Sequence, residues 1–448
     1  MLLLCACLAQ GVWAQFKLIG PGFLPDESGT NLDDQKSSQK ANTRLAESVK
    51  QFSIAVAPFK GNDGMTQKLA TIALFDLERS GQFRSVDTGG IPMDENIRPD
   101  LPVWRKQGAD ALLTGSISRV GEDLYEVRFR LWDAVRNQDL GGQSQRAPAS
   151  ELRRVAHRVS DWAYEKLTGK KGVFSTRIAY VTKSASIFNL WVADSDGEGE
   201  QTALRSLTPI ISPAWAPNGN QLAYVSFESR KPVVYVHDVA TGKRRLVANF
   251  TGLNLDPAWS PDGKTMALAL SFGENKTKIY LLDVYGLGDS PRLLTNSLGN
   301  DKEPIFSPDN QYVYFVSDRE GNDQIYRMEA SSGRSVQRIT ASGYPNFSPA
   351  ISPDGRSLAF VSKVEDASVI NVMDVMTGSV IRLTDTIADT KPHFSPDSRM
   401  IIYSTKNGSR EVLVTSTLDG KVKALHSRVD GDLREPAWGP WLTPYQLN

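Results

Sequence analysis

Pro213-Ala-Trp-Ala-Pro217-Asn-Gly219 is the first of six related segments. Pro257-Ala-Trp-Ser-Pro261-Asp-Gly263, Pro304-Ile-Phe-Ser-Pro308-Asp-Asn310, Pro349-Ala-Ile-Ser-Pro353-Asp-Gly355, Pro392-His-Phe-Ser-Pro396-Asp-Ser398 and Pro436-Ala-Trp-Gly-Pro440 follow. Their leading prolines stand 44, 47, 45, 43 and 44 residues apart. That period predicts one four-stranded propeller blade per repeat, since four strands of about 5–6 residues and their turns fill it. Strand A is the Pro-aromatic-Ser-Pro segment, and the Asp-Gly pair behind it is a tight-turn signal. Strand B is an apolar run such as Leu222-Ala-Tyr-Val-Ser226, the pattern of a strand buried on both faces. Strand C alternates, as in Ile279-Tyr-Leu-Leu-Asp283, and strand D ends in pairs such as Arg382-Leu383.

The ends of the array say how the ring closes. Ile178-Ala-Tyr-Val181, Asn189-Leu-Trp-Val192 and Arg205-Ser-Leu207 supply strands B, C and D with no strand A before them. Pro436 to Pro440 is a strand A with no strand B, C or D after it. Joining the two predicts an all-β six-bladed propeller over residues 178–448, closed three-plus-one by the C-terminal strand, which removes the exposed edges of an open array. Residues 52–167 read as an N-terminal α/β domain with a mixed sheet. Its strands start from Phe52-Ser-Ile-Ala-Val56, Phe83-Arg-Ser-Val86, Ala111 to Ile117 and Leu124 to Trp132, and its helices are expected over Met65–Ser80, Leu101–Lys106 and Ser150–Leu167. Ser150 is the expected cap of the last helix. Residues 168–177 read as the linker, and 15–51 as an N-terminal segment and polar arm with one helix near Arg44–Lys50.

Residues 1–14 carry no charge, and Val12-Trp13-Ala14 places small residues at the positions a signal peptidase requires. Cleavage is therefore expected between Ala14 and Gln15, with export to the periplasm. The two cysteines, Cys5 and Cys7, lie inside this segment, so the mature chain would rest on packing without disulfides. Hydrophobic residues make up 40% and charged residues 23%, ordinary for a globular protein. Lys plus Arg equals Asp plus Glu at 51 each, which excludes the basic excess of a nucleic-acid binder. No stretch has the roughly 20 apolar residues of a membrane span.

Export signal, small α/β domain and six-bladed array together resemble the TolB family over nearly the whole chain. The telling segments are Val56-Ala-Pro-Phe59, Asp76-Leu-Glu-Arg-Ser-Gly-Gln-Phe83, Glu165-Lys-Leu-Thr-Gly169, Lys171 to Val181 and Glu435-Pro-Ala-Trp-Gly-Pro440. The resemblance implies a periplasmic protein of the Tol-Pal system that serves outer-membrane integrity and constriction at division. It implies binding of the lipoprotein Pal at one propeller mouth. There the resemblance assigns Leu253, Asp256 and Lys302, and the neighbouring D–A turn residues Asn254, Asn300, Asp301, Glu303, Asn346, Lys391 and Arg434 complete the expected set. It also implies that Phe16, Lys17, Leu18 and Ile19 contact TolA. Further envelope proteins are expected as partners, and the chain is expected to be a monomer. The sequence departs from the family after Ile19, where Pro21-Gly22 and a long polar stretch precede the first core strand.

Enzyme chemistry finds no residues. There is no Gly-x-Ser-x-Gly elbow and no domain after the propeller to carry one. The four histidines, His157, His237, His393 and His426, are scattered and read as structural. Asp262, Asp309, Asp354 and Asp397 belong to separate blades and do not converge on a metal, so no cofactor is expected; calcium in the central channel is the metal reading left open. The alternative function is a periplasmic propeller holding a small ligand or glycan in its channel. The strand A slots hold Trp215, Trp259 and Trp438 but also Phe306, Ile351 and Phe394, which gives the channel no repeated tryptophan lining.

Overall fold

The computed structural model describes residues 18–19, 51–61, 65–286, 290–341, 343–428 and 431–442. The α/β domain is built on a five-stranded sheet in the order 83–86, 52–56, 111–121, 124–133, 138–147. The first three strands are parallel and the rest antiparallel. Period-two alternation sorts the sheet's side chains. Ile54, Val56, Leu113 and Phe129 face helices α1 (Met65–Arg79) and α3 (Leu152–Thr168). Ala55, Leu112 and Trp132 face the short helix α2 (Leu101–Lys106). The edge strand Gln138–Ala147 was missed in the sequence because its exposed, glycine-containing pattern carries little apolar alternation. Ser150 does not cap α3; it lies in a 3-10 turn over Ala149–Glu151 that leads into the helix, and no side-chain cap bond forms. Gly169 ends α3 in the left-handed conformation, φ 71°, with its N–H on Glu165 O at 2.8 Å.

Six four-stranded blades follow. Strands A of blades two to six are Ile210–Trp215, Asn254–Trp259, Asp301–Phe306, Asn346–Ile351 and Thr390–Phe394. Blade one takes its B, C and D strands from Arg177–Ser184, Ile187–Asp194 and Gln201–Ser206, and its strand A from Asp432–Trp438 at the far end of the chain. Ala437 opposes Ala179 and Trp438 opposes Ile178, so the three-plus-one closure is formed. Within the turns after strand A, each serine hydroxyl donates to the aspartate two residues on: Ser260 to Asp262 at 2.6 Å, Ser352 to Asp354 at 2.6 Å and Ser395 to Asp397 at 2.6 Å. The repeated Ser-Pro-Asp-Gly is thus a turn clamp, with glycine supplying positive φ at Gly263 and Gly355. Trp215 and Trp259 each donate from the indole to the preceding blade's strand A, at Ala437 O and Ala214 O.

The α/β domain sits on the A–B face of the ring, over blades six and one. Arg79 reaches Ser195 and Arg153 reaches Asp194 and Asp196, in the C–D turn of blade one. Arg399, in the A–B turn of blade six, donates to the Tyr164 hydroxyl at 2.9 Å. The D–A face is on the other side of the ring. No helix among the described residues is long and apolar enough to cross a membrane.

Candidate functional site

The D–A face opens onto the central channel, a cavity of about 310 Å³. Its belt is made by the residue before each strand A proline: Glu435, Ser212, Asp256, Glu303, Ser348 and Lys391 in ring order. Every one has a left-handed φ between 50° and 54°, and every strand A carries a register shift there. A bulge of this kind re-aims one side chain out of the ladder, here into the channel. The belt is knitted by hydrogen bonds. Glu435 accepts from Ser212 N at 3.1 Å, Asp256 from Glu303 N at 3.1 Å, and Glu303 from Ser348 N at 2.6 Å. Lys391 Nζ donates to Glu303 at 2.9 Å.

Burial alone would lower the Lys391 pKa, but Glu303, Glu435 and Asp256 around it outweigh that and raise it, so the ammonium is fixed as a cation. Burial pushes Glu303 up, yet Lys391 holds it below the usual carboxylate range. Asp256, farther from that partner's bonds, is raised by burial. Lys391 is thus the cation that this acidic belt holds within its own chain.

The structure moves most of the expected Pal-binding residues out of the turns. Asn254, Asp301, Asn346, Asp256, Lys302, Glu303, Lys391 and Arg434 lie on strand A, which starts earlier than the Pro-aromatic segment suggests. Asn254, Asp301 and Asn346 are fully buried. Asn254 donates to Pro232 O, Phe250 O and Gly252 O and accepts from Phe250 N, clamping its turn from beneath. Asp301 receives Ser297 and Arg319, and Asn346 bonds Gln324 and Ser362. Lys302 pairs with Asp323 at 2.9 Å and Arg434 with Glu411 at 2.8 Å, both on the rim. Leu253 and Asn300 remain in the turns, Leu253 exposed and Asn300 bonded to Asp318.

Apart from Leu253, which was among the expected residues, what the sequence reading passed over is apolar. One large hydrophobic side chain stands exposed in each of five D–A turns: Leu207, Leu253, Leu298, Tyr344 and Ile387. Leu298 is 90% exposed, Leu207 77% and Ile387 71%, values that packing does not explain. The signal was present in the sequence, as a lone leucine, tyrosine or isoleucine inside each polar turn. Together they ring the mouth outside the polar belt.

Leu18–Ile19 forms a two-residue strand antiparallel to strand D of blade six (Lys423–His426), with Leu18 opposite Ala424 and Ile19 opposite Lys423. Blade six is thereby five-stranded. Phe16 and Lys17, the cleavage residues Ala14 and Gln15, and the helix expected near Arg44–Lys50 lie outside the described residues.

The histidines are all placed internally. His393 accepts from Trp438 N at 3.2 Å and is held neutral by burial. His237 is buried and its pKa lowered by that burial. His426 bonds Thr415 at 2.8 Å and burial pushes it down to about 4. His157 differs. It lies fully buried on α3, 2.7 Å from Asp76 through Nδ1, with Asp194 and Asp196 each 3.6 Å from Nε2. Burial would lower its pKa, but Asp76 and Asp196 raise it to about 10. The grouping of Asp76, His157 and Asp196 has metal-like spacing. Arg79 and Arg153 already occupy the carboxylates, so the group is a charge cluster and not a cation seat.

Comparison with known proteins agrees with this architecture. Residues 164–442 match the family model of the TolB beta propeller domain, and residues 46–140 match that of the TolB amino-terminal domain. A Tol-Pal system protein TolB from Polaromonas sp. is 59% identical over 391 residues, covering 87% of this chain and 91% of the relative. The Bordetella pertussis protein of the same name is 44% identical over 391 residues, 87% of this chain and 89% of its own. The crystal structure of TolB from Acinetobacter baumannii superposes with a TM-score of 0.80 at 36% identity, covering 88% of this chain and 97% of that one.

Proposed function

This chain belongs to the TolB family, a component of the Tol-Pal system of the cell envelope, and from that premise we propose that it is a periplasmic binding protein, not an enzyme, that bridges Pal and TolA. Pal is taken up at the D–A mouth, and TolA by the N-terminal segment that includes Phe16, Lys17, Leu18 and Ile19. The bridge serves outer-membrane integrity and envelope constriction at division. The observation that carries this reading is the rim of exposed Leu207, Leu253, Leu298, Tyr344 and Ile387 around the mouth. Large exposed apolar side chains clustered within a polar surround mark protein contacts. The face that bears them is the one the α/β domain leaves free. Lys302 and Arg434 supply charge at the same rim.

A small-ligand site in the channel is less well supported, because the belt's polar atoms already satisfy one another. The test is Pal affinity of Leu253→Asp combined with Leu298→Asp. At least a tenfold loss is expected, about 1.4 kcal/mol. The melt should hold, since exposed substitutions usually stay within about 0.5 kcal/mol. Undiminished Pal affinity in calorimetry would move the site off this rim.

A further inference from the structure

Blade three carries an apolar surface beside the mouth. Its B–C turn, residues 271–277, is bound between the D–A turns on either side. Toward blade two, Leu253 N donates to Ser271 Oγ at 2.9 Å and Ser271 N donates to Leu253 O at 3.2 Å. Toward blade four, Lys276 Nζ donates to Leu298 O and Lys278 Nζ to Gly299 O. Three turns are thereby fused into one platform. Phe272 stands on it in the left-handed conformation, φ 48°, and is 40% exposed. The matching turns of the other blades place Ala185, Arg230, Gly321, Glu365 and Gly408 in that conformation. A bulky residue at positive φ is an outlier that the surroundings must hold in place. Here it keeps the Phe272 ring against Phe250, centroids 5.3 Å apart, and against Tyr280, 4.9 Å apart. Leu293, 49% exposed, opposes Tyr280 across strands C and D and continues the stripe to the outermost strand of the blade.

Lysines frame these rings. Lys231 Nζ donates to Phe250 O at 3.0 Å on one side, and Lys276 and Lys278 flank the other. All three ammoniums bond backbone carbonyls, and among the described residues no carboxylate forms an ion pair with them. Glu274 lies on the same turn, and Asp318 near Lys276 is already engaged by Asn300 through both oxygens, at 2.6 and 2.7 Å. An ammonium has three donors, so each lysine keeps capacity for an anion.

Exposed rings and leucines with lysines beside them are the pattern of a surface that rests on an anionic bilayer, where the apolar parts reach the headgroup boundary and the ammoniums meet phosphate. Protein hot spots instead sit in pockets that the partner fills. This stripe protrudes, with Leu298 90% exposed at its border. We propose that the outer edge of blade three is a peripheral membrane contact: Phe272 and Leu293 enter the headgroup–acyl boundary of an anionic phospholipid bilayer, and Lys231, Lys276 and Lys278 pair with its phosphates. The contact is shallow and reversible and involves no span. Leu207, Tyr344 and Ile387 on the other blades stay free of it, so it stands apart from the question of which protein occupies the mouth.

The chain suits a direct test, because Cys5 and Cys7 are its only cysteines and both precede the expected cleavage point. A single introduced cysteine in protein that starts at Gln15 can therefore carry a polarity-sensitive fluorophore. At Asn275→Cys, exposed on the B–C turn, its emission should shift to the blue when phosphatidylcholine vesicles containing phosphatidylglycerol are added. At Met376→Cys, 89% exposed in the C–D turn of blade five, it should not move. In cosedimentation with the same vesicles, Phe272→Asp should weaken binding at least fivefold and Lys276→Ala about fivefold, with the thermal midpoint unchanged. Phe272→Asn, whose side chain tolerates the left-handed conformation, replaces Phe272→Asp if that variant does not fold. Added salt should release the protein from the vesicles. No shift at residue 275, or equal shifts at 275 and 376, would overturn the proposal. Vesicle binding at the wild-type level in the Phe272 variant would overturn it as well, and weakened Pal binding by that variant would then assign the stripe to the protein partner.

Discussion

Trp438→Ala tests the closure of the ring. The indole is buried with Val173 at the junction, Ile178 and Tyr180 of blade one, and Ile402 and Leu413 of blade six. One side chain therefore ties the first blade, the last blade and the domain linker. Its Nε1 donates to Thr176 Oγ1 at 2.9 Å. The Thr176 hydroxyl keeps its own bond to Val173 O at 2.5 Å, so its proton is not orphaned by the substitution. The loss is then mainly packing and cavity, about 3–5 kcal/mol for a buried tryptophan. That is a large part of a total stability of about 5–15 kcal/mol. At about 2–4 °C per kcal/mol for a unit this size, the midpoint should fall by roughly 6–20 °C. Scanning calorimetry beside Trp259→Ala, the equivalent slot in blade three, separates seam from blade. Truncation before Asp432 removes the whole of strand A of blade one and should lower the midpoint further than Trp438→Ala. A truncated protein that melts with the full-length chain would refute the three-plus-one account of stability.

Three further outcomes are expected. His157→Gln should lower the thermal midpoint at neutral pH, and the gap to wild type should close as pH rises. The His157 pKa is raised from 6.5 to about 10 in the fold, so its contribution is complete below pH 6.5 and is lost as pH climbs through about 10; melts from pH 6 to 10.5 check this, with Asp76, Asp194, Asp196, Arg79 and Arg153 as the facing charges. Asp256→Ala should destabilise by about 1–3 kcal/mol in denaturant melts, because Glu303 N–H and the Ser212 hydroxyl lose their acceptor; Asp256 is a belt residue and not the exposed turn residue its sequence position suggests. Deleting Gln15–Gly20 should abolish TolA binding in a pull-down while Pal binding persists, and retained TolA binding would place that partner elsewhere.

The repeats made the ring legible because each blade repeats the same local chemistry. Proline starts the buried half of every strand A, an aromatic fills the interblade slot in five blades, and Ser-x-Asp closes the turn in four. Six copies at one spacing leave little else the chain could be. The lone terminal repeat showed the closure for the same reason. The site was less legible. Asn254, Asp301 and Asn346 look in sequence like polar rim residues, yet each is a buried clamp under its turn. Nothing in a polar residue's type says whether its partners are solvent or the backbone two turns away. The domain junction was invisible for another reason. Asp76, His157 and Asp196 are far apart in the chain, and only the packing of α1, α3 and the first blade brings them together.

The belt before the prolines carries the last step. A non-glycine residue at positive φ is uncommon, and each strained position costs about 1–3 kcal/mol. The belt alone adopts it six times, at Ser212, Asp256, Glu303, Ser348, Lys391 and Glu435. The bulge turns the residue's own N–H out of the strand ladder, where it needs an acceptor. At Ser212, Glu303 and Ser348 a carboxylate from the preceding blade supplies it. The acids of the channel mouth are therefore bonds between blades before they are anything else, and Lys391 neutralises part of their charge. A partner that pulled Asp256 or Glu303 away from those bonds would leave part-buried N–H donors unmet. The apolar rim has no such prior engagement. Burying Leu298 or Leu207 removes them from water and breaks no hydrogen bond of their side chains. Recognition at this mouth is thus expected to run through the turns, with the belt holding the blades in register beneath them.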